Sequence, residues 1–339
     1  MTLFSYDLQI YIILRIFAVL FPGKMQDIKK LIKDWMLPGA LVLGISSYLV
    51  YHFTPALRPI GPVCHDIAAY GQRWLIGVLL FFQFVKVSPH DLKPVRWHMW
   101  ALLLQVIGFT ACAVGVALSH TPEIRIPLEC AMICLICPTA SASGVITDRL
   151  GGSIAENVSY LVVTNIAATL LIPLVIPLVS PSAEMGFWTY VWHLASRIFP
   201  LLLLPCLLAW TVRYTTKKLQ HALMRWAPNS FYVWGVSLTL AMILATRALV
   251  LSRLSALTIV LVVIVSMAAC FIQFYVGRRL CRKDPVTPGQ ALGQKNTGLM
   301  IWLGYSYLTP VTSVAGGLYA IWQNIFNSWE LWKKEHKNA

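Results

Sequence analysis

The sequence predicts an all-α polytopic membrane protein. Three observations carry that prediction. Only 12% of the residues are charged and 58% are hydrophobic, against about 25% charged in an ordinary soluble domain. The apolar residues fall into ten runs separated by short polar segments. Lysine and arginine gather in alternate segments, the pattern of cytoplasmic loops. The formal net charge of +14 would also suit a nucleic acid. Charges so sparse, set between apolar runs, fit a membrane surface instead, and no nucleic-acid partner is expected. The eight cysteines sit mostly in apolar runs, where cysteine acts as a small hydrophobe.

The chain opens with "FSYDLQIYIILRIFAVLF", interrupted by Asp7 and Arg15. It lacks the basic start and small-residue cleavage site of a signal peptide, and Pro22-Gly23 ends it. Met25, Ile28, Leu31, Ile32 and Trp35 then recur at helical spacing opposite Lys24, Lys29, Lys30 and Lys33, as in an interfacial helix. Residues 1–35 are therefore expected to associate with the membrane without crossing it. The competing reading makes residues 4–22 an eleventh span and moves the amino terminus outside. The apolar runs follow at 36–54, 73–88, 97–119, 125–147, 154–179, 188–213, 231–251, 255–280, 290–308 and 310–332. A bilayer needs about 20 residues per helix, so each run is one span of a single transporter-sized domain, 36–335.

Basic residues precede the first span and follow the even ones: Lys86, Lys93 and Arg96; Arg149; Arg213, Lys217, Lys218 and Arg225; Arg278, Arg279, Arg282 and Lys283; Lys333, Lys334 and Lys337. The other loops hold little beyond Arg58, Arg125 and Arg253. Both termini are expected in the cytoplasm, with the bilayer in question a bacterial inner membrane.

Two spans are poor continuous helices. The fourth carries "CPTASASGV" and the ninth "TPGQALGQKNTGL"; proline removes a donor and glycine weakens the helix. Irregular backbone at membrane depth is tolerated only inside protein or along a cavity. Two interrupted spans five places apart are the mark of an inverted-repeat transporter, repeat one being 36–180 and repeat two 187–335. Close helix packing by small residues is the other explanation.

These residues resemble the bile acid:sodium symporter family. "CPTASASGV" is similar to that family's fourth-span CPGGTASNV, "ALGQKNTGL" to its ninth-span EVGMQNSGL, and "AGGLYAIWQNIFNS" (315–328) to its tenth-span PGALFSVWHNISGS. Gln105 in "ALLLQVIGF" matches a third-span glutamine. The resemblance implies ten transmembrane helices as two inverted five-helix repeats, with panel and core domains and broken crossing helices 4 and 9. It also implies a set of substrate and ion-site residues: Gln105, Ser141, Ser143, Gly144, Asn165, Ala291, Lys295, Asn296 and Thr297.

Several of these depart from the family. Ala291 stands where sodium-coupled members have a shared glutamate, Lys295 where they have a glutamine, and Gly144 where they have an asparagine. Asn165 takes the place of a fifth-span threonine only under a loose alignment. Sodium wants oxygen ligands, as calcium does, and like charges 4 Å apart repel by about 4 kcal/mol at an effective dielectric of 20. Lys295 is thus read as a tethered cation in the place of sodium, held by backbone carbonyls and by hydroxyls such as Ser143; the other reading has it snorkel to an interface. Glu129 and Glu156 are candidate proton or charge partners for it. Arg197 and Arg247 either line a route for anions or sit near span ends. Cys130, Cys134 and Cys137 share a helix face with no histidine nearby, so no metal site is expected.

No nucleophile elbow, P-loop or histidine-rich set occurs, and no enzyme or cofactor is expected. The expectation is a secondary transporter of small organic anions working by alternating access. Coupling stays open between a proton, no ion, and sodium through changed ligands. The reading of a different class is a membrane binding or regulatory protein that kept the fold.

Overall fold

A computed structural model describes residues 22–140, 142–252 and 254–337. The helices are α1 Pro22–Phe53, α2 Gly61–Val85, α3 Arg96–Leu118, α4 Pro122–Ile136, α5 Ser143–Leu150, α6 Ile154–Val179, α7 Phe187–Leu202, α8 Leu204–Thr215, α9 Lys217–Trp226, α10 Ser230–Leu251, α11 Ala256–Leu280, α12 Val286–Gly293, α13 Thr297–Tyr307 and α14 Ser313–Lys337. Short 3₁₀ turns join some of them, and the described residues contain no strand. The chain is an all-α integral membrane protein. Six described stretches are long and apolar enough to cross a bilayer: Pro55–Val85, Arg96–Leu118, Ile154–Val179, Phe187–Thr215, Lys217–Leu251 and Ala256–Leu280.

The helix boundaries have local causes. Pro62 opens α2 at a first-turn position, where a missing N–H is harmless, so the helix begins twelve residues before the expected 73. Residues 24–35, expected as a separate interfacial piece, are continuous with the first span in α1. The reading of residues 4–21 lies outside the described residues. Pro205 in the first turn of α8 removes a donor, and the sixth span bends at Leu203 between α7 and α8. Ser153, Ser255 and Asn296 cap α6, α11 and α13 by accepting from Glu156 N, Thr258 N and Leu299 N. Gly151, at φ 86°, closes α5 in a left-handed conformation that glycine adopts without a Cβ clash.

The basic loops meet at one end of the bundle. There Tyr214 OH lies 2.9 Å from His90 Nδ1, Trp210 Nε1 donates to Val87 O at 3.2 Å, and Lys334 Nζ donates to Arg149 O at 2.8 Å. At the opposite end Arg125 Nη2 donates to Val179 O at 2.6 Å. Between these ends, α4, α11, α13 and α14 contribute to a buried apolar core with Ile133, Cys134, Cys270, Phe274, Met300, Leu303 and Tyr319.

Candidate functional site

Neither the fourth nor the ninth apolar run forms one helix. α4 stops at Ile136 before Pro138, and α5 resumes at Ser143. α12 stops at Gly293, and α13 resumes at Thr297. Between the halves the two connecting segments pair: Ala140 N donates to Gln294 O at 3.0 Å and Asn296 N to Pro138 O at 2.9 Å. Thr139 and Lys295 thereby face each other as an antiparallel bridge.

A helix end leaves its last carbonyls without helical donors, and a bilayer cannot supply any. Three consecutive carbonyls of α4 are met by side chains from elsewhere. Gln273 Nε2 of α11 donates to Cys134 O at 3.1 Å, Lys295 Nζ to Leu135 O at 3.2 Å, and Gln105 Nε2 of α3 to Ile136 O at 3.1 Å. Lys295 also donates to Gln105 Oε1 at 3.1 Å, and Tyr160 OH donates to the same oxygen at 3.1 Å. Its own backbone N–H donates to Gln323 Oε1 at 3.0 Å. Lys295 is 0% exposed, so it does not snorkel. No carboxylate is paired with it among the described residues. It faces the C-terminal end of α4, where the helix dipole favours a cation.

The other expected site residues divide. Asn296 caps α13 through its Oδ1, which accepts from Leu299 N at 3.1 Å. Thr297, the next residue, opens that helix. Ala291 is buried beside Trp97, Ala101, Tyr160 and Leu292, so its side chain lies among largely apolar groups; its backbone oxygen accepts from Thr139 Oγ1 at 2.7 Å. Ser143 does not touch the ammonium, contrary to expectation. Its Oγ donates to Gln290 O at 3.0 Å and accepts from Asn157 Nδ2 at 2.8 Å, at the start of α5. A Cβ at Gly144 would find only ordinary contacts, the nearest Val158 Cγ2 at 3.7 Å. Asn165 turns back on its own helix, donating to Leu161 O at 2.8 Å. Ser141 lies outside the described residues.

Neither candidate acid reaches Lys295. Glu129 accepts from Arg125 Nε at 2.9 Å, Thr309 N at 3.0 Å and Thr312 Oγ1 at 2.9 Å. A partner one turn earlier on α4 therefore holds it at the opposite end. Glu156 accepts from Trp97 Nε1 at 2.8 Å near the basic end. The residues that do complete the crossing, Gln273, Tyr160, Gln323 and Thr139, were not singled out in the sequence. A polar side chain inside an otherwise apolar span was the available signal for Gln273.

No family model matches the chain. It is similar to a protein of Bacillus subtilis (strain 168) named as an uncharacterized sodium-dependent transporter, YocS, with 24% identity over 277 residues, 77% of this chain and 83% of the relative.

Proposed function

We propose that this chain is a secondary transporter of small organic anions. Its ten spans form two inverted repeats, and the crossing of the fourth and ninth is the site around which panel and core helices alternate. Lys295 stands there in place of an exchangeable sodium ion. The observation that carries the reading is the fully buried ammonium on Leu135 O and Gln105 Oε1, at the meeting of two broken helices. Transporters of this kind place unwound carbonyls and half-helix C-termini around the coupling cation. Here a cation arrives covalently attached, and the absence of a carboxylate at Ala291 agrees with it. The similarity to a protein named as a transporter supports the class.

That relative's name also favours a second reading, sodium coupling through altered ligands. One measurement separates the two. A ligand that binds only the folded state stabilises it by RT ln(1 + [L]/Kd), about 2.7 kcal/mol at a hundredfold excess. The native protein is expected to melt at the same temperature in sodium and potassium of equal ionic strength, and proteoliposome flux is expected to ignore the exchange. A markedly higher melting temperature in sodium, or flux in sodium alone, overturns the tethered-cation reading. Absence of any anion flux in both salts returns the chain to the binding-protein class. The alternation of basic loops further supports both termini lying in the cytoplasm of a bacterial inner membrane; reporters at Met1 and Ala339 on opposite sides would refute the even span count.

A further inference from the structure

Two arginines on two different helices reach the far half of α13. Arg73, about midway along α2, places its Cζ 5.8 Å from the centroid of the Trp302 ring. Arg247, near the end of α10, donates through Nη1 to Tyr305 OH at 2.6 Å, and His65 Nε2 of α2 lies 2.9 Å from the same hydroxyl. The Tyr307 ring lies 5.2 Å from Trp302. α2 and α10 both pack against α13.

None of these guanidinium groups has a carboxylate partner among the described residues. The ion pairs found there are His65–Asp66, Arg125–Glu129 and Arg278–Glu330. The partners that Arg73 and Arg247 do have are an indole face and a phenol oxygen. Both orient a guanidinium, and neither neutralises it. Arginine within a span normally faces the protein interior or a water-filled cavity and is paired there. Arginine is also the residue whose planar fork suits a carboxylate or phosphate. Two like charges set along one half-helix are left without a direct carboxylate partner, which leaves room for an anion.

We infer that Arg73 and Arg247 form the anion seat of the transporter, and that it takes a small organic anion carrying two carboxylates. The inference rests on the transport reading above and deepens it. The seat bridges two groups of helices. α2 and α10 supply the cations, whereas the aromatic anchors belong to α13, which starts at the Lys295 crossing. A polycarboxylate bound there would tie the arginine-bearing helices to the crossing, which is what a cargo must do to report its presence.

The test uses the full chain in nanodiscs of neutral phosphatidylcholine, with acetate, succinate and citrate added at matched ionic strength. Succinate or citrate is expected to raise the melting temperature by about 2 °C or more and acetate by less. Arg73→Gln and Arg247→Gln are each expected to abolish that rise. The ligand-free variants are expected to melt no lower than the native protein, because a repelling cation has been removed. An aromatic-packing role for the arginines would instead lower the ligand-free melting temperature. The seat is overturned by no stabilisation with any carboxylate, by stabilisation that survives both substitutions, or by stabilisation that appears only with phosphatidylglycerol in the disc, which would make this a lipid site. Flux in proteoliposomes keeps the two claims apart: anion flux indifferent to the arginines sinks the seat alone, and arginine-dependent binding without flux sinks transport alone.

Discussion

Replacing Lys295 by methionine removes the ammonium and keeps an unbranched stem. Two sets of terms oppose each other. An isolated buried ammonium is penalised by several kcal/mol for its lost hydration. Against this, two charge-assisted hydrogen bonds contribute about 1.5–3 kcal/mol each, and the C-terminal dipole of α4 adds about 0.3–2 kcal/mol. These nearly cancel, so the groups left behind decide the sign. Gln105 Oε1 keeps the Tyr160 hydroxyl at 3.1 Å. Leu135 O keeps nothing, because the amide four residues on, Thr139 N, is held by Thr164 Oγ1 at 3.2 Å. An orphaned buried carbonyl costs about 1–3 kcal/mol. Lys295→Met is therefore expected to lower the melting temperature by about 2–4 °C in sodium-free buffer, read by tryptophan fluorescence. Tyr160→Phe should cost more when added to Lys295→Met than when made in the native chain, since it then removes the last donor to Gln105 Oε1; a coupling of about 0.5 kcal/mol or more is expected. If the methionine variant melts at or above the native protein, the ammonium is a burden on the fold and the tether argument fails.

Other consequences follow from the same geometry. Gln273→Leu strips the donor from Cys134 O and Tyr319 OH and should cost about 1–3 kcal/mol in chemical denaturation. Glu129→Leu should destabilise by more than Glu129→Gln, because the leucine leaves Arg125 Nε and Thr309 N without an acceptor; equal melting temperatures would argue against a stabilising role for these bonds. At Gly316 an added Cβ would come 2.9 Å from Ile301 N and 3.2 Å from Thr297 O, so Gly316→Ala should cost about 1–3 kcal/mol through overpacking of α14 on α13. With Cys134 and Cys137 changed to serine, the pair Thr139→Cys and Lys295→Cys should oxidise readily in membranes. Residues facing each other between the bonds of an antiparallel ladder lie about 4.5 Å apart at Cα, within disulfide reach; fragments that separate on a non-reducing gel after loop cleavage would refute the crossing.

The breaks were legible because a proline and a glycine mark them in the sequence. Pro138 cannot donate, and Gly293 admits the Phe274 ring where a Cβ would collide with it. The fifth span, 154–179, is bounded by Ser153 as cap and Ser180 beyond it, and its limits could be read directly. The start of α2 could not, since Cys64, His65, Asp66, Gln72 and Arg73 dilute the apolar signal that marks a span. Those polar residues are the ones turned to work: His65 to Tyr305, Arg73 to Trp302, and Gln72, whose Nε2 donates to Gly298 O at 2.9 Å. The partners of Lys295 were illegible for a different reason. Gln105 lies 190 residues away and Leu135 160, and nothing in local periodicity says which carbonyl of a broken helix will be left over.

A cation that is part of the chain differs from a bound ion in one thermodynamic respect. An ion gradient drives a cycle only when the ion binds on one side and leaves on the other, so that its differential affinity shifts the two conformations. A tethered ammonium is present at the same effective concentration in both, and it can bias the conformations only through how well Leu135 O and Gln105 Oε1 stay in reach. Under the proposed reading, sodium's structural role at the crossing has been separated from its energetic one. With no coupling ion, uphill movement of one anion must then be driven by downhill movement of another through the same arginines of α2 and α10. A chain built this way should exchange one anion for another faster than it accumulates either against a gradient.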